Sequence, residues 1–215
     1  MTSLSKNLRS SVRQAINSNG RRIGLLGGSF NPAHEGHIHI SKEAMKHLKL
    51  DTIWWVVSPQ NPLKESKEMA PFTERLNHAK KIAQDPRILV TDIEDRISTR
   101  FTIDSIKIIQ RSFLEKKFVW IMGADNLIQI PQWKNWRELF STVPIVIFDR
   151  APYSVKALSG KAAQVFSKSR LPPKYVRELS NFKPPAWTFI RMPLHPATAT
   201  EIRRSSTSSI KVEKV

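Results

Sequence analysis

The chain alternates short apolar runs with longer segments in which apolar residues recur at helical spacing. The apolar runs are four to six residues long, and several are rich in β-branched and aromatic side chains, which is typical of strands. They cover residues 22–26, 52–57, 87–90, 118–122, 143–148 and 186–190. Because nearly every position in these runs is apolar, we expect strands that are buried on both faces of a sheet.

Helical periodicity fills most of the intervals between these runs. Ile40, Ala44 and Leu48, for example, share one face of a predicted helix, and lysines occupy the other face. Helices are predicted over residues 36–48, 71–84, 102–112 and 133–140, and a further one begins at residue 198 with a capping-box pattern. Strands that alternate with helices predict an α/β fold, a doubly wound parallel sheet in three α/β/α layers and a single domain.

The predicted sheet collects several polar segments at one edge, because ligands of parallel α/β sheets bind beyond the carboxyl ends of the strands. Residues 27–37 follow the first strand and residues 58–64 the second. Residues 123–126 follow the fourth strand and residues 149–150 the fifth. We therefore expect all four segments to lie along the same edge.

Composition narrows the class of protein. The chain has 215 residues and no cysteine, which excludes disulfides, thiolate chemistry and cysteine-based zinc sites. No apolar run approaches about 18 residues, so no membrane span is expected. The net charge of +17 invites a nucleic-acid interpretation, but residues 23–149 hold 17 basic and 15 acidic side chains and are close to neutral. The excess lies at the two ends of the chain, so a nucleic-acid partner is disfavoured.

The domain is expected to span residues 22–204, between a basic N-terminal extension (residues 1–21) and a flexible tail (residues 205–215). Residues 1–22 carry 5 basic and no acidic side chains. This composition is typical of a mitochondrial transit peptide, but it also fits a short basic helix or leader. A cytoplasmic location is the main expectation, with mitochondrial targeting as the minor alternative. The oligomeric state is left open.

The segment Gly27-Gly-Ser-Phe-Asn-Pro-Ala-His-Glu-Gly-His37 carries the strongest chemical signal. It matches neither of two common glycine-rich phosphate loops, yet it places two glycines after a strand and a helix start near Gly36. The N–H groups and dipole of that helix start favour an anion. His34 and His37, three residues apart, can donate hydrogen bonds to phosphate oxygens. Metal ligation by the pair and a purely structural role remain alternatives.

This segment resembles the signature of the HxGH nucleotidyltransferase superfamily, and most closely that of the nicotinate-nucleotide adenylyltransferases. Other members typically have threonine where this chain has His34. Further landmarks of that family recur in order over roughly residues 22–204, at Asn61-Pro-Leu-Lys64, Arg100-Phe-Thr-Ile-Asp104, Gly123-Ala-Asp-Asn-Leu127 with Trp133, and Ala197-Thr-Ala-Thr-Glu-Ile-Arg203. The resemblance implies a Rossmann-like fold and transfer of the adenylyl group of ATP to nicotinate mononucleotide, with release of pyrophosphate.

The resemblance also implies roles for individual residues. The catalytic residues would be His34, His37 and Arg203. ATP would contact Gly27, Gly28, Ser29, Phe30, His34, His37, Asp125, Thr198, Thr200 and Arg203. The mononucleotide would contact Asn31, Lys64, Thr102 and Trp133. Leu63, Phe101 and Ala199 replace a histidine, a tyrosine and a hydroxyl-bearing residue of the family pattern, which makes the neighbouring assignments less specific.

The sequence allows more than one interpretation of several residues and of the substrate. Mg²⁺ is expected as a cofactor held mainly by the ATP phosphates, so no protein metal ligands are predicted. Trp133, like Trp136, also fits a core position, and Asp125 also fits a helix cap. Asp149 and Arg150 fit an adenine pocket without being required there. The choice between the acid and the amide form of the mononucleotide rests on the resemblance alone, which favours the acid. Rival functions are transfer to another phosphate acceptor and RNA binding by an old nucleotide fold.

Overall fold

A computed structural model of the protein describes residues 20–60 and 69–192. The strands are β1 (Arg22–Gly28), β2 (Thr52–Val57), β3 (Ile88–Thr91), β4 (Lys117–Gly123), β5 (Ile145–Phe148) and β6 (Trp187–Ile190). The helices are α1 (Glu35–Leu48), α2 (Phe72–Ile82), α3 (Ile93–Arg96), α4 (Thr102–Ser112), α5 (Ala124–Gln129), α6 (Trp136–Thr142), α7 (Ser154–Leu158) and α8 (Lys161–Val165). Short 3-10 segments cover Ile130–Gln132, Ser167–Ser169 and Pro173–Asn181.

The strands form one sheet in the order β3-β2-β1-β4-β5-β6, and every neighbouring pair is parallel. The order runs outward in both directions from β1 and β4, which makes the fold Rossmann-like and puts its switch point between these two strands. The predicted doubly wound parallel sheet is confirmed. The carboxyl ends of β1 and β4 are therefore neighbours at one edge.

Two apolar cores cover the two faces of the sheet, as expected for three layers. On one face, Ile23 and Leu25 of β1 pack with Trp54 of β2 beneath α4, α5, α6, α7 and α8. On the other face, Leu26 and Trp55 pack beneath α1, α2 and the 3-10 segment Pro173–Asn181. Alternate residues of a strand point to opposite faces, so each central strand contributes to both cores.

Most predicted boundaries are correct to within two residues, and two of them are informative. The first strand does not end at residue 26 but continues through Gly27 and Gly28, which pair with Val56 and Val57. Two adjacent glycines after a strand usually indicate a turn, but here backbone pairing with β2 continues the strand through both of them. The helix predicted over 133–140 begins instead at Trp136, so Trp133 lies in the connection before it.

Two predicted segments lie outside the described residues: the helix beginning at residue 198 and the tail 205–215. The N-terminal extension 1–21 is described only at its last two residues. Across residues 20–60 and 69–192, no helix is long and apolar enough to cross a membrane.

Candidate active site

The glycine pair at the end of β1 has a packing reason as well as a chemical one. A Cβ on Gly27 would lie 2.2 Å from the Trp120 indole, so that ring occupies the space a side chain would need. A Cβ on Gly28 would meet only Phe30 carbons at 3.5 Å or more, which is ordinary contact. Gly27 therefore makes room for the Trp120 side chain of β4, the neighbouring strand in the sheet. Gly28 leaves the backbone open at the edge where the strand ends.

His34 and His37 together cap the start of α1. His34 is the N-cap, and its Nδ1 accepts a hydrogen bond of 3.1 Å from the Gly36 N–H. The Nδ1 of His37 accepts one of 3.2 Å from the His34 N–H, and the ring centroids are 4.0 Å apart. A neutral imidazole has one N–H, so acceptance at Nδ1 puts the hydrogen of each ring on Nε2. The two rings lie together at the first turn of α1, as their spacing of three residues predicts; that they bind phosphate stays a prediction.

The ring of His37 lies against an aromatic wall. Phe30 is buried and lies 4.7 Å from the His37 ring, and it stacks on Trp55 at 4.9 Å. Burial lowers the pKa of His37 to about 3, and repulsion from His34 and Arg150 adds to the effect. His37 is therefore neutral near pH 7 and offers an Nε2–H donor. Phe30, with its side chain in the core, can contact a nucleotide only through its backbone.

Ser29 and Asn31, also predicted to bind substrate, are tied to the segment before α2. The Ser29 carbonyl accepts a hydrogen bond from Arg75, and the Asn31 side-chain oxygen accepts one of 3.2 Å from the Ala70 N–H. These contacts fix the loop between β1 and α1 against the carboxyl end of β2. The loop is therefore held from two sides, by its own helix cap and by α2.

Asp125 stands at the end of β4 in an ion pair with Arg150, which follows β5. Arg150 Nη1 donates to Asp125 Oδ2 at 2.9 Å. The N-cap of α5 is Gly123, and no side chain caps that helix, so the alternative of Asp125 as a cap does not hold. Asp125 Oδ1 is buried and accepts no hydrogen bond from the described residues. A buried carboxylate oxygen without such a partner is uncommon in folded proteins.

Gly123 makes room for that carboxylate. A Cβ at residue 123 would lie 2.5 Å from Asp125 Oδ1, although the Gly123 backbone is extended and any residue can adopt it. The glycine is therefore required by the position of the Asp125 side chain and not by its own conformation. Asp149, next to Arg150, accepts a hydrogen bond from the Ser154 hydroxyl and braces the turn into α7.

Thr102 and Trp133 are predicted to contact the pyridine ring of the mononucleotide. They lie in two segments, and Lys134, which follows Trp133, contacts the segment of Thr102. Thr102 begins α4 and Trp133 precedes α6; both are partly buried. Lys134 Nζ lies 3.1 Å from Asp104 Oδ2 and 4.4 Å from the centroid of the Phe101 ring. Trp136, by contrast, is 7% exposed and packs edge-on against Phe140 and Phe166. Of the two tryptophans, Trp136 is a core residue.

Sequence reasoning missed Glu94, a buried carboxyl group that links three elements. Glu94 is 4% exposed on α3, and Ser105 Oγ of α4 donates to its Oε1 at 2.8 Å. Burial raises its pKa to about 7, against the opposing effect of hydrogen bonds from Ser105 and Ser58. Glu94 therefore ties the end of β2 to the helix that Thr102 begins. Nothing in its sequence context separates it from the neighbouring surface acids.

Arg75 was also missed, although its sequence position gave a signal. It falls between Phe72 and Ala79 at helical spacing, on the predicted apolar face of α2. An arginine at such a position must either extend its guanidinium to solvent at the edge of the helix or find hydrogen-bond acceptors in the protein interior. It is 2% exposed and contacts four backbone carbonyls.

Four predicted site residues lie outside the described residues: Lys64, Thr198, Thr200 and Arg203. Within the described ranges, no group of three or more His, Cys, Asp or Glu side chains is arranged to hold a metal ion. His34 and His37 have no third such side chain beside them in those ranges.

Comparisons with known proteins agree with this geometry. The family described as cytidylyltransferase-like matches residues 25–212. A relative from Parvibaculum lavamentivorans, named a probable nicotinate-nucleotide adenylyltransferase, is 44% identical over 200 residues, which are 93% of this chain and 100% of the relative. A relative of the same name from Gluconobacter oxydans is 47% identical over 184 residues, 86% of this chain and 94% of its own length.

Solved structures support the fold independently. The nicotinic acid mononucleotide adenylyltransferase of Plasmodium falciparum, complexed with NaAD, superposes with a TM-score of 0.64 at 18% identity, over 86% of this chain and 83% of its own. The same enzyme complexed with APC gives a TM-score of 0.61 at 17% identity, with the same shares covered. At such identities the likeness concerns the fold.

Proposed function

The chain belongs to the nicotinate-nucleotide adenylyltransferase family, and from that premise we propose that it transfers the adenylyl group of ATP to nicotinate mononucleotide. The products are nicotinate adenine dinucleotide and pyrophosphate, a step of NAD biosynthesis. The observation that carries this proposal is the pair of imidazoles at the start of α1, beside the open end of β1. That arrangement fits a polyphosphate better than any other common ligand.

The reaction is proposed as a direct in-line displacement. An oxygen of the mononucleotide phosphate attacks the α-phosphorus of ATP, and the bond to the bridging oxygen of the β-phosphate breaks. The attacking phosphate is already an anion, so no general base is needed. Transfer of this kind depends on alignment and on stabilising charge as it shifts to the leaving pyrophosphate.

His34 and His37 supply hydrogen-bond donors for this charge. Each ring accepts a backbone hydrogen bond at Nδ1 and carries its hydrogen on Nε2. We propose that these Nε2–H groups donate to a triphosphate across the end of β1, where the dipole of α1 also favours an anion. His37 is neutral when no ligand is present, so it holds no counterion that an arriving phosphate would have to displace. Phosphate oxygens would instead raise its pKa and strengthen the hydrogen bond as negative charge builds up.

Asp125 is proposed to accept a hydrogen bond from a ribose hydroxyl of the nucleotide, through the buried Oδ1 that has no partner among the described residues. Arg150 holds the carboxylate in place through Oδ2. Thr102 and Trp133 are proposed to bind the nicotinate end, Trp133 by stacking on the pyridine ring. Gly27, Gly28, Ser29, Phe30 and Asn31 would approach the substrates mainly through the backbone and the Asn31 amide.

The remaining proposed contacts come from cations and from Mg²⁺. Lys64 and Arg203 would neutralise phosphate oxygens, and Thr198 and Thr200 would offer hydroxyl groups to them. A Mg²⁺ ion would be held by phosphate oxygens and water, and it would add positive charge to the leaving pyrophosphate. A cytoplasmic location is proposed, with which the absence of cysteine is compatible.

Labelled ATP tests this proposal. Incubation with nicotinate mononucleotide and Mg²⁺ should carry a label from the α-phosphate into the dinucleotide, and a label from the γ-phosphate into pyrophosphate. Appearance of the γ-label in inorganic phosphate would instead indicate hydrolysis. A dinucleotide without the α-label would contradict attack at the α-phosphorus.

A further inference from the structure

Arg75 is a buried cation whose hydrogen bonds to the described residues all go to backbone carbonyls, and its guanidinium also lies 5.6 Å from the centroid of the Phe72 ring. Its Nε donates to the Ala70 carbonyl at 2.9 Å, and its Nη2 donates to the Pro59 carbonyl at 2.8 Å. Its Nη1 donates to two carbonyls, of Ser29 at 2.5 Å and of Ser58 at 2.8 Å. No carboxylate of the described residues lies within ion-pair distance of it. Desolvation lowers its pKa, so the four carbonyl dipoles must offset the cost of burying the charge.

These carbonyls belong to three separate segments of chain. Ser29 lies in the loop between β1 and α1, Ser58 and Pro59 follow β2, and Ala70 precedes α2. Ser58 also donates its N–H to the Gly28 carbonyl at 2.9 Å, so the two strand ends are already adjacent. Because Arg75 bonds to carbonyls that follow both strands, it fixes the distance between the carboxyl ends of β1 and β2.

Only an arginine can make all of these contacts. Its guanidinium is planar and carries five N–H donors, of which four are used here. A lysine has three donors around a single nitrogen and cannot span carbonyls that lie on different sides of the group. With one N–H remaining, Arg75 is occupied by the protein itself and is not a phosphate ligand.

We propose that Arg75 is a positioning residue for adenylyl transfer: it holds the Ser29 loop and the end of β2 at the spacing that aligns the donor and acceptor phosphates. This inference rests on the proposed function. It assigns to Arg75 an effect on kcat that exceeds its effect on stability, because a displacement of about 1 Å in a bound reactant lowers a rate by roughly a hundredfold.

The test compares Arg75→Lys and Arg75→Gln with Leu76→Ala. Leu76 is the next residue of α2, is buried in the core on the same side of the sheet, and its side chain has no group that could hydrogen-bond to the loop. Each variant is assayed by pyrophosphate release at saturating ATP and nicotinate mononucleotide, well below its melting temperature. We expect kcat to fall roughly ten- to a hundredfold in both Arg75 variants, with the larger fall in Gln. Leu76→Ala should melt earlier and retain the kcat of the unsubstituted protein.

A third measurement keeps the test valid if the Arg75 variants fold poorly. Arg75→Ala leaves a space for free guanidinium ion, which should restore kcat several-fold at millimolar concentration and should not act on Leu76→Ala. Unchanged kcat in folded Arg75→Lys and Arg75→Gln, or an equal loss in Leu76→Ala, would overturn the inference. Absence of activity in the unsubstituted protein would overturn the proposed function instead, so the two failures are distinguishable.

Discussion

His34 and His37 cap one helix end through their Nδ1 atoms, His34 to the Gly36 N–H and His37 to the His34 N–H. Histidine is not among the residues preferred at a helix N-cap, where Asn, Asp, Ser and Thr lead. Here Nδ1 replaces the side-chain oxygen of those residues, which puts the hydrogen of each ring on Nε2. We propose that the same side chain caps the helix through Nδ1 and donates to a bound phosphate through Nε2.

Substitutions of His37 can distinguish the roles of its two ring nitrogens. Asn keeps an acceptor near the place of Nδ1 but cannot reach the place of Nε2, whereas Gln reaches the place of Nε2 with an N–H donor. We expect His37→Asn to lower kcat by roughly a hundredfold or more, because it removes a donor to the reacting phosphates, and His37→Gln to retain a measurable part of the rate. Steady-state pyrophosphate release, with melting temperatures measured in parallel, checks this order. Similar rates in both variants would contradict the role given to Nε2.

Substitution of Gly123 tests the position of the Asp125 carboxylate. In Gly123→Ala the new methyl group would lie 2.5 Å from Asp125 Oδ1, and the flexible end of the Asp125 side chain would move. Since the backbone already suits alanine, the free energy of unfolding should change by less than about 1 kcal/mol. The KM for ATP should rise roughly tenfold, as for loss of one hydrogen bond to a charged group. Asp125→Asn, which keeps the size of the side chain, is the matched comparison. An unchanged KM in Gly123→Ala would remove Asp125 from nucleotide binding.

Glu94 should give the protein a pH-dependent stability. Its pKa is raised from 4.5 to about 7 in the folded state, so the folded state holds its proton more tightly than the unfolded chain does. Its contribution to stability is therefore greatest below pH 4.5, declines as pH rises through the interval, and is lowest above about pH 7. A difference of this size corresponds to on the order of 3 kcal/mol.

Urea unfolding at pH 5 and pH 8 measures this contribution. Glu94→Gln keeps the shape and can still accept the Ser105 hydrogen bond, but it cannot ionise. We expect the variant to gain stability relative to the unsubstituted protein between pH 5 and pH 8. Glu115→Gln, at an exposed carboxyl group, serves as the control. A constant difference between Glu94→Gln and the unsubstituted protein over this range would show that Glu94 does not titrate there.

The central sheet was predictable because its strands are buried on both faces. Residues 53–57, for example, are all apolar, so both faces of the strand have to be buried, as they are in a parallel sheet between two helical layers. The extension of β1 through Gly27 and Gly28 was not predictable, since it depends on their pairing with Val56 and Val57 of β2, 29 residues away along the chain. Adjacent glycines by themselves indicate a loop.

The residues of the candidate site also differ in how far the sequence could predict them. His34, His37 and Asp125 were identified because each follows a strand and belongs to a contiguous motif. Arg75 and Glu94 were not, because their partners are carbonyls and hydroxyls of distant segments that meet only in the folded chain. Local patterns show which residues carry reactive groups, and they do not show which buried charges hold those groups in place.

The identity of the acceptor distinguishes the proposed function from its alternatives. It is tested by pyrophosphate release from ATP with nicotinate mononucleotide and nicotinamide mononucleotide as separate acceptors, in the presence of Mg²⁺. We expect rapid release with the acid and slow release with the amide. Comparable release with both would retain the transfer chemistry and contradict the stated preference. Release with neither, from folded protein, would contradict the proposed function itself.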